Sequence, residues 1–210
     1  MHFSDEFLGY LELKQDLLFH KIPEEKIPYY VNEALVIGRT AAQPFKGRTA
    51  TELLAEQNIS IEAVEGDGTF FKVKFRAQFE ADSKGKNQIL LYKQSLEELA
   101  EANQLTNEAV EEIVLIHEFF HFLEERQALA VPEQLDTIES FHFLGLARKA
   151  HIQRTSEIAA NCFAKEVLGL EYLPSYYDYI FLMKTGELDQ IALEEEKSIF
   201  ERIFSRETSC

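Results

Sequence analysis

Cysteine is scarce in this chain of 210 residues, which contains only Cys162 and Cys210. Because Cys210 is the last residue and the two thiols lie far apart in the sequence, we expect no structural disulfide. The same spacing excludes a zinc-ribbon pattern. This cysteine usage favours a reducing compartment.

A long hydrophobic run is also missing. No uninterrupted apolar stretch approaches the roughly 20 residues that a helix needs to cross a bilayer. The N-terminal residues, MHFSDEFL, lack the basic region and apolar core of a signal peptide. The sequence therefore predicts a cytoplasmic location.

Basic side chains are outnumbered by acidic ones. The chain has 21 Lys and Arg residues against 37 Asp and Glu, which gives a formal net charge of −16 at pH 7. Such a charge disfavours nucleic acid and anionic membranes as partners. The apolar and charged fractions, 46% and 28%, are typical of a globular protein, and the length fits one domain or one domain with a small appendage.

One motif in the chain contains residues that could bind a metal ion and act as a general base. His117, Glu118 and His121 form an H-E-x-x-H pattern. On a helix the two histidines point the same way, one turn above the other, so both imidazoles can bind one Zn²⁺. Glu118 lies about 100° further around the helix, where it can act as a general base towards the attacking water.

The residues around this motif favour metal binding. Burying two histidines and a carboxylate costs free energy unless a metal or hydrogen-bonding groups compensate for the lost water. The alternative is that the two histidines lie in the core without a metal and form hydrogen bonds with neighbouring polar groups. The helix is apolar on nearly every side, which predicts that it is buried. Its apolar residues are Ile113, Val114, Leu115, Ile116, Phe119, Phe120, Phe122 and Leu123.

A catalytic zinc site has three protein ligands and one open position, so a third ligand must come from elsewhere. Glu157 is the favoured candidate, because it lies near the start of a predicted helix whose small residues allow close approach to the motif helix. A three-histidine site completed by His142 or His151 is the alternative. The other downstream carboxylates considered as ligands are Glu139, Glu166 and Glu171.

Hydrophobic periodicity predicts an α+β chain in which helices flank one small sheet. Three short strands near residues 59–63, 71–79 and 89–92 should form an antiparallel sheet, since tight turns join them. No element is predicted for residues 133–150. The predicted helices cover residues 4–20, 28–37, 51–57, 95–103, 107–130 and 155–168, a segment after Pro174, and residues 187–204.

Two motifs together resemble a known family. The pattern His117-Glu118-x-x-His121, followed by the segment EIAANCFA that begins at Glu157, is similar to the H-E-x-G-H and E-x-x-A-N-x-F-A motifs of the IrrE/ImmA-type zinc metallopeptidases. The resemblance covers about residues 49–170. It implies a gluzincin-like, zincin-like fold in which Zn²⁺ is held by the two histidines and Glu157, with Glu118 as the base.

Two features fall outside this family pattern. The family usually has Gly at the position of Phe120, and a Phe there either narrows the cleft or fills the core behind the motif helix. The N-terminal and C-terminal segments are not covered by the resemblance. We therefore expect residues 1–45 to be a helical appendage and residues 46–210 to be a zincin-like core with its C-terminal helices.

The resemblance implies hydrolysis of a protein or peptide substrate, with a regulatory protein such as a repressor as a possible target. A further donor should stabilise the oxyanion, and an edge strand should hold the substrate backbone, for which residues 88–92 are the candidate. Candidates for oxyanion stabilisation or for support of the metal ligands are Tyr172, Tyr176, Tyr177, His151, Arg154, Asn161, Glu124 and Glu125.

Two other functions stay open. The first is a non-enzymatic, zinc-stabilised interaction protein in which a buried metal links two helices. The second is a metal-free helical binding module.

Overall fold

The computed structural model describes residues 3–70, 73–81, 87–127, 130–143 and 146–205. They form a mostly helical α+β fold, which confirms the predicted class. The helices are α1 (Asp5–Leu13), α2 (Ile27–Ala42), α3 (Ala50–Glu56), α4 (Lys93–Asn103), α5 (Asn107–Gln127), α6 (Val131–Gln134), α7 (Arg154–Leu168), α8 (Ser175–Thr185) and α9 (Gln190–Ser205). The strands are β1 (Ile59–Val64), β2 (Thr69–Phe70), β3 (Val73–Lys74), β4 (Ala77–Ala81), β5 (Asn87–Tyr92), β6 (Ile138–Phe143) and β7 (Leu146–Ala150). Within these residues, no helix is both long and apolar enough to span a lipid bilayer.

Local capping signals explain where two of the helices begin. Ser4 accepts a hydrogen bond from the backbone N–H of Phe7 at 3.1 Å and starts α1. Thr49 and Glu52 form a reciprocal capping box at the start of α3. By contrast, the side chain of Gln153, which precedes α7, makes no capping hydrogen bond.

Three stretches differ from the sequence prediction. The helix predicted over residues 28–37 continues through Gly38 to Ala42. The helix predicted over residues 4–20 ends at Leu13, because the following residues form turns in which the Asp16 carboxylate accepts a hydrogen bond from the backbone N–H of Leu18. Residues 133–150, for which no element is predicted, contain the second half of α6 and the antiparallel β6–β7 hairpin.

The main sheet has the strand order β1-β5-β4. β5 pairs antiparallel with β4 but parallel with β1, so the prediction of an all-antiparallel sheet is wrong. The chain reverses between β1 and β4, where the β2–β3 hairpin lies, and β5 then returns between them in the direction of β1. The strand predicted over residues 71–79 is divided into β3 and β4, and residues 71–72 lie outside the described part.

α5 packs against α7 in the hydrophobic core. Phe119 and Phe120 are at most 1% exposed, and their rings lie 6.3 and 5.3 Å from the ring of Phe163 in α7. Of the two expectations for Phe120, the structure therefore supports the core position between α5 and α7. Large aromatic side chains on both helices hold them in contact.

α1 and α2 belong to the same hydrophobic core as α5 and α7. Phe7, Leu8 and Tyr30 of these two helices are at most 1% exposed within it. The predicted boundary near residue 45 stays a prediction. Because the N-terminal helices share this core, a domain boundary at residue 45 would cut through buried contacts.

α2 approaches α7 closely at Gly38. A Cβ atom at this position would lie 2.2 Å from the carbonyl oxygen of Ala159 and 2.9 Å from Cβ of Cys162. Because the nearer atom belongs to the backbone of α7, the overlap could be relieved only if the two helices moved apart.

Gly38→Ala is expected to lower the free energy of unfolding by about 1–3 kcal/mol, since overpacking outweighs the better helix propensity of alanine. Guanidinium denaturation followed by circular dichroism measures this. Thr40→Ala is the control, because Thr40 is exposed on the same helix and its loss should change stability by no more than about 0.5 kcal/mol. Equal stability of the two variants would contradict the close approach.

Candidate metal centre

α5 and α7 bring the three predicted ligands together. His117 and His121 lie one turn apart on α5, and Glu157 lies in the first turn of α7. The Nε2 atoms of the two histidines are 3.2 Å apart. Oε2 of Glu157 lies 3.3 Å from Nε2 of His117, and Oε1 lies 3.6 Å from Nε2 of His121. Within the described part of the chain, these residues form a group that could hold a metal ion.

The spacing of these atoms fits a tetrahedral Zn²⁺ site. Bonds of about 2.0–2.2 Å in tetrahedral geometry place neighbouring ligand atoms about 3.3–3.6 Å apart. The two Nε2 atoms, 3.2 Å apart, lie close to that range, and so do Nε2 of His117 and Oε2 of Glu157, 3.3 Å apart. The other carboxylate oxygen, Oε1, lies 3.6 Å from Nε2 of His121. The side chains of His117, His121 and Glu157 are 17%, 22% and 35% exposed, so the group can be reached from solvent.

Glu124 orients His121. Its Oε2 lies 3.0 Å from Nδ1 of His121 and accepts the Nδ1–H, so Nε2 is the nitrogen that can bind a metal. The same carboxylate accepts hydrogen bonds from Oγ of Ser156 and, at 3.1 Å, from the backbone N–H of Val131. These three hydrogen bonds fix the Glu124 carboxylate, which therefore holds the His121 ring in one preferred orientation.

The ligands are strongly coupled through their charges. Burial acts to lower the pKa of His121, but hydrogen bonds to Glu124 and Glu157 outweigh it and raise the pKa to about 10. Burial acts to raise the pKa of Glu157, but His117 and His121 hold it well below its usual range. Metals bind neutral imidazole, so a cation must displace a proton from His121 when it binds.

Glu118 connects the motif helix to the main sheet. Its Oε2 accepts a hydrogen bond from the backbone N–H of Phe79 in β4 at 3.0 Å. Phe79 lies opposite Ile89 of β5, and in an antiparallel pair only alternate residues bond to the neighbouring strand. The N–H of Phe79 therefore points to the free edge of the sheet, next to the motif helix.

The edge strand beside α5 is β4. Residues 88–92, the predicted substrate strand, lie in β5 at the centre of the sheet, between β1 and β4. That prediction is wrong, because both sides of β5 are already paired. β4 packs against α5 and has one side without a strand partner in the described sheet.

Two of the predicted supporting residues have other partners. Nη1 of Arg154 donates a hydrogen bond to Glu12 at 2.9 Å. Nδ1 of His151 donates to the carbonyl oxygen of Pro132 at 2.6 Å. The side chain of His142, the other histidine considered as a third ligand, lies outside the described part.

Of the other predicted residues, Glu125 is exposed on α5 and Tyr177 lies in α8. The last three, Asn161, Tyr172 and Tyr176, lie at the junction of α7 and α8. Nδ2 of Asn161 donates to the carbonyl oxygen of Glu157 at 2.9 Å, and Oδ1 accepts the backbone N–H of Ser175 at 3.1 Å. Asn161 thus links the ligand-bearing helix to the start of α8. The rings of Tyr172 and Tyr176 stack 4.3 Å apart. These contacts favour a structural role for the three residues.

Several residues at the site carry no sequence signal. Glu12 of α1 is 9% exposed, and burial and the charge of Glu157 raise its pKa to about 7 against the opposing effect of Arg154. Arg76, just before β4, donates to Asp178 of α8 at 3.0 Å. The Glu12–Arg154 and Arg76–Asp178 ion pairs join residues far apart in the sequence, so no local pattern could have revealed them.

The chain was compared with family models, curated proteins and solved structures. No family model, no curated protein and no solved structure matches it. The case for a function therefore depends on the chemistry of the site and on the motifs of the sequence.

Proposed function

We propose that this chain is a zinc-dependent metallopeptidase of the gluzincin type. The observation that carries the proposal is the spacing of His117, His121 and Glu157, each of which offers one ligand atom within 4.8 Å of the other two. Two histidines and one carboxylate are a known ligand set of catalytic zinc. The motif resemblance to the IrrE/ImmA-type peptidases supports the same assignment, and a zincin-like fold is part of the proposal.

Glu118 is the proposed general base. When bound, Zn²⁺ would polarise the scissile carbonyl and lower the pKa of the attacking water to about 7. Glu118 accepts the proton of that water and delivers it to the leaving amine. Its hydrogen bond to the N–H of Phe79 holds the carboxylate at the edge of β4, next to the ligands on α5.

The substrate that fits this edge is an extended peptide. β4 offers backbone groups on its free side, and a peptide that pairs with them gains hydrogen bonds without any requirement on its sequence. The resemblance adds a regulatory protein as the proposed target. A cytoplasmic location is part of the proposal, and neither nucleic acid nor a membrane surface is proposed as a partner.

Cleavage of a peptide library tests this function. The untagged protein loaded with Zn²⁺ is expected to generate new peptide termini, detected by mass spectrometry. Removal of the metal by a chelator should abolish cleavage, and Zn²⁺, but not Mg²⁺, should restore it, because Mg²⁺ prefers oxygen ligands. Cleavage that continues without metal would contradict the proposal.

A zinc-stabilised interaction protein is the second candidate. The three ligands bridge α5 and α7, and the hydrogen bond from Ser156 to Glu124 joins the same two helices. A metal at this position would therefore also clamp the core. This candidate predicts zinc binding and increased thermal stability with zinc, but no cleavage of any peptide.

A further inference from the structure

The helix that carries Glu157 has an N-terminal cap from another part of the chain. The side chain of Gln153 makes no capping hydrogen bond. The first backbone N–H groups of a helix have no partner within the helix and need an acceptor elsewhere. Asp16, in the turn after α1, supplies it: Oδ2 accepts the backbone N–H of Arg154 at 2.9 Å.

The Asp16 carboxylate is itself held in place. It is 9% exposed, and its Oδ1 accepts a hydrogen bond from the backbone N–H of Leu18 at 2.8 Å. Its negative charge lies at the positive end of the α7 dipole, which favours the contact further. Because both oxygens are engaged, the cap has a single orientation.

The same turn of α7 is tied to two other helices. Glu12 of α1 is also 9% exposed, and its Oε1 accepts a hydrogen bond from Nη1 of Arg154 at 2.9 Å. Ser156 donates through Oγ to Glu124 of α5, the partner of His121. Arg154 therefore ties the first turn of α7 to α1, and Ser156 ties it to α5.

We propose that Asp16 is a positioning residue for the metal centre, and the inference rests on the proposed metal site. Asp16 holds the first turn of α7 so that Glu157 stays opposite the two histidines. Glu157 lies three residues after Arg154, in the same turn, so fraying of this turn would move the ligand directly. An N-cap suppresses such fraying.

Zinc titration of the full-length Asp16→Ala variant tests the inference. Loss of the cap is expected to weaken Zn²⁺ binding about five- to tenfold. Asp16→Asn keeps an oxygen acceptor but loses the charge, so a smaller loss of about two- to fivefold is expected. Thr49→Ala is the matched control, because it removes the cap of α3 and should leave zinc affinity unchanged.

The outcomes separate this inference from the proposed function. Wild-type zinc affinity in both Asp16 variants would overturn the inference, and so would an equal loss in Thr49→Ala. If Asp16→Ala does not fold, the comparison of Asp16→Asn with the wild type decides. A wild-type protein that binds no zinc would overturn both proposals, whereas zinc binding without cleavage would overturn only the peptidase.

Discussion

Replacing Glu118 with glutamine is expected to lower peptide hydrolysis by about 10²–10⁴-fold, the range found when a general base is removed. The amide cannot take the proton of the attacking water. Its oxygen can still accept the backbone N–H of Phe79, so the contact with β4 is kept. The metal ligands are unchanged, and zinc content should therefore equal that of the wild type.

The matched control is Glu125→Gln, on the same helix. Glu125 is exposed and should tolerate the change without loss of activity. Initial cleavage rates of a peptide identified from the library, measured at equal zinc occupancy, give the comparison. Activity that persists in Glu118→Gln would remove this residue from the role of base. Equal losses in both variants would point to a general effect on α5.

The Glu157→Ala variant is expected to bind Zn²⁺ more than about 100-fold less tightly. Loss of a residue that only supports a ligand typically costs 10–100-fold in affinity, and loss of a direct ligand should cost more. Two histidines on α5 would remain, but nothing from α7 would complete the site. Competition with a chromophoric chelator measures the change.

Glu166→Ala provides the control for this variant. Glu166 lies on the same helix and pairs with Lys46 at 2.8 Å, away from the first turn. Its removal should leave zinc affinity at the wild-type value. Unchanged zinc binding in Glu157→Ala would show that the third ligand is a different residue, and His142 and His151 would be the next to test.

The local part of the site was accessible from the sequence. The spacing of His117 and His121 places both on one face of a helix whatever surrounds it. Glu157 follows from a second motif with its own helical pattern. The capping contacts of Ser4 and Thr49 are likewise local, since each joins residues three apart in the sequence.

Strand pairing and contacts between residues far apart in the sequence could not be predicted from the sequence. Alternating residues predict strands but not their neighbours, so the parallel pairing of β1 with β5 and the edge position of β4 could not be derived. The β6–β7 hairpin was missed, because Gly145 interrupts an apolar stretch with no clear period. The contact between Asp16 and Arg154 joins residues far apart in the sequence, and no local pattern marks it.

A structure of the zinc-loaded protein, with anomalous diffraction recorded at the zinc absorption edge, tests the central claim most directly. One zinc ion is expected, bound by Nε2 of His117, Nε2 of His121 and a carboxylate oxygen of Glu157. Its fourth position should hold a water that faces the edge of β4. A zinc ion at another place, or a protein side chain in the fourth position, would contradict a catalytic centre.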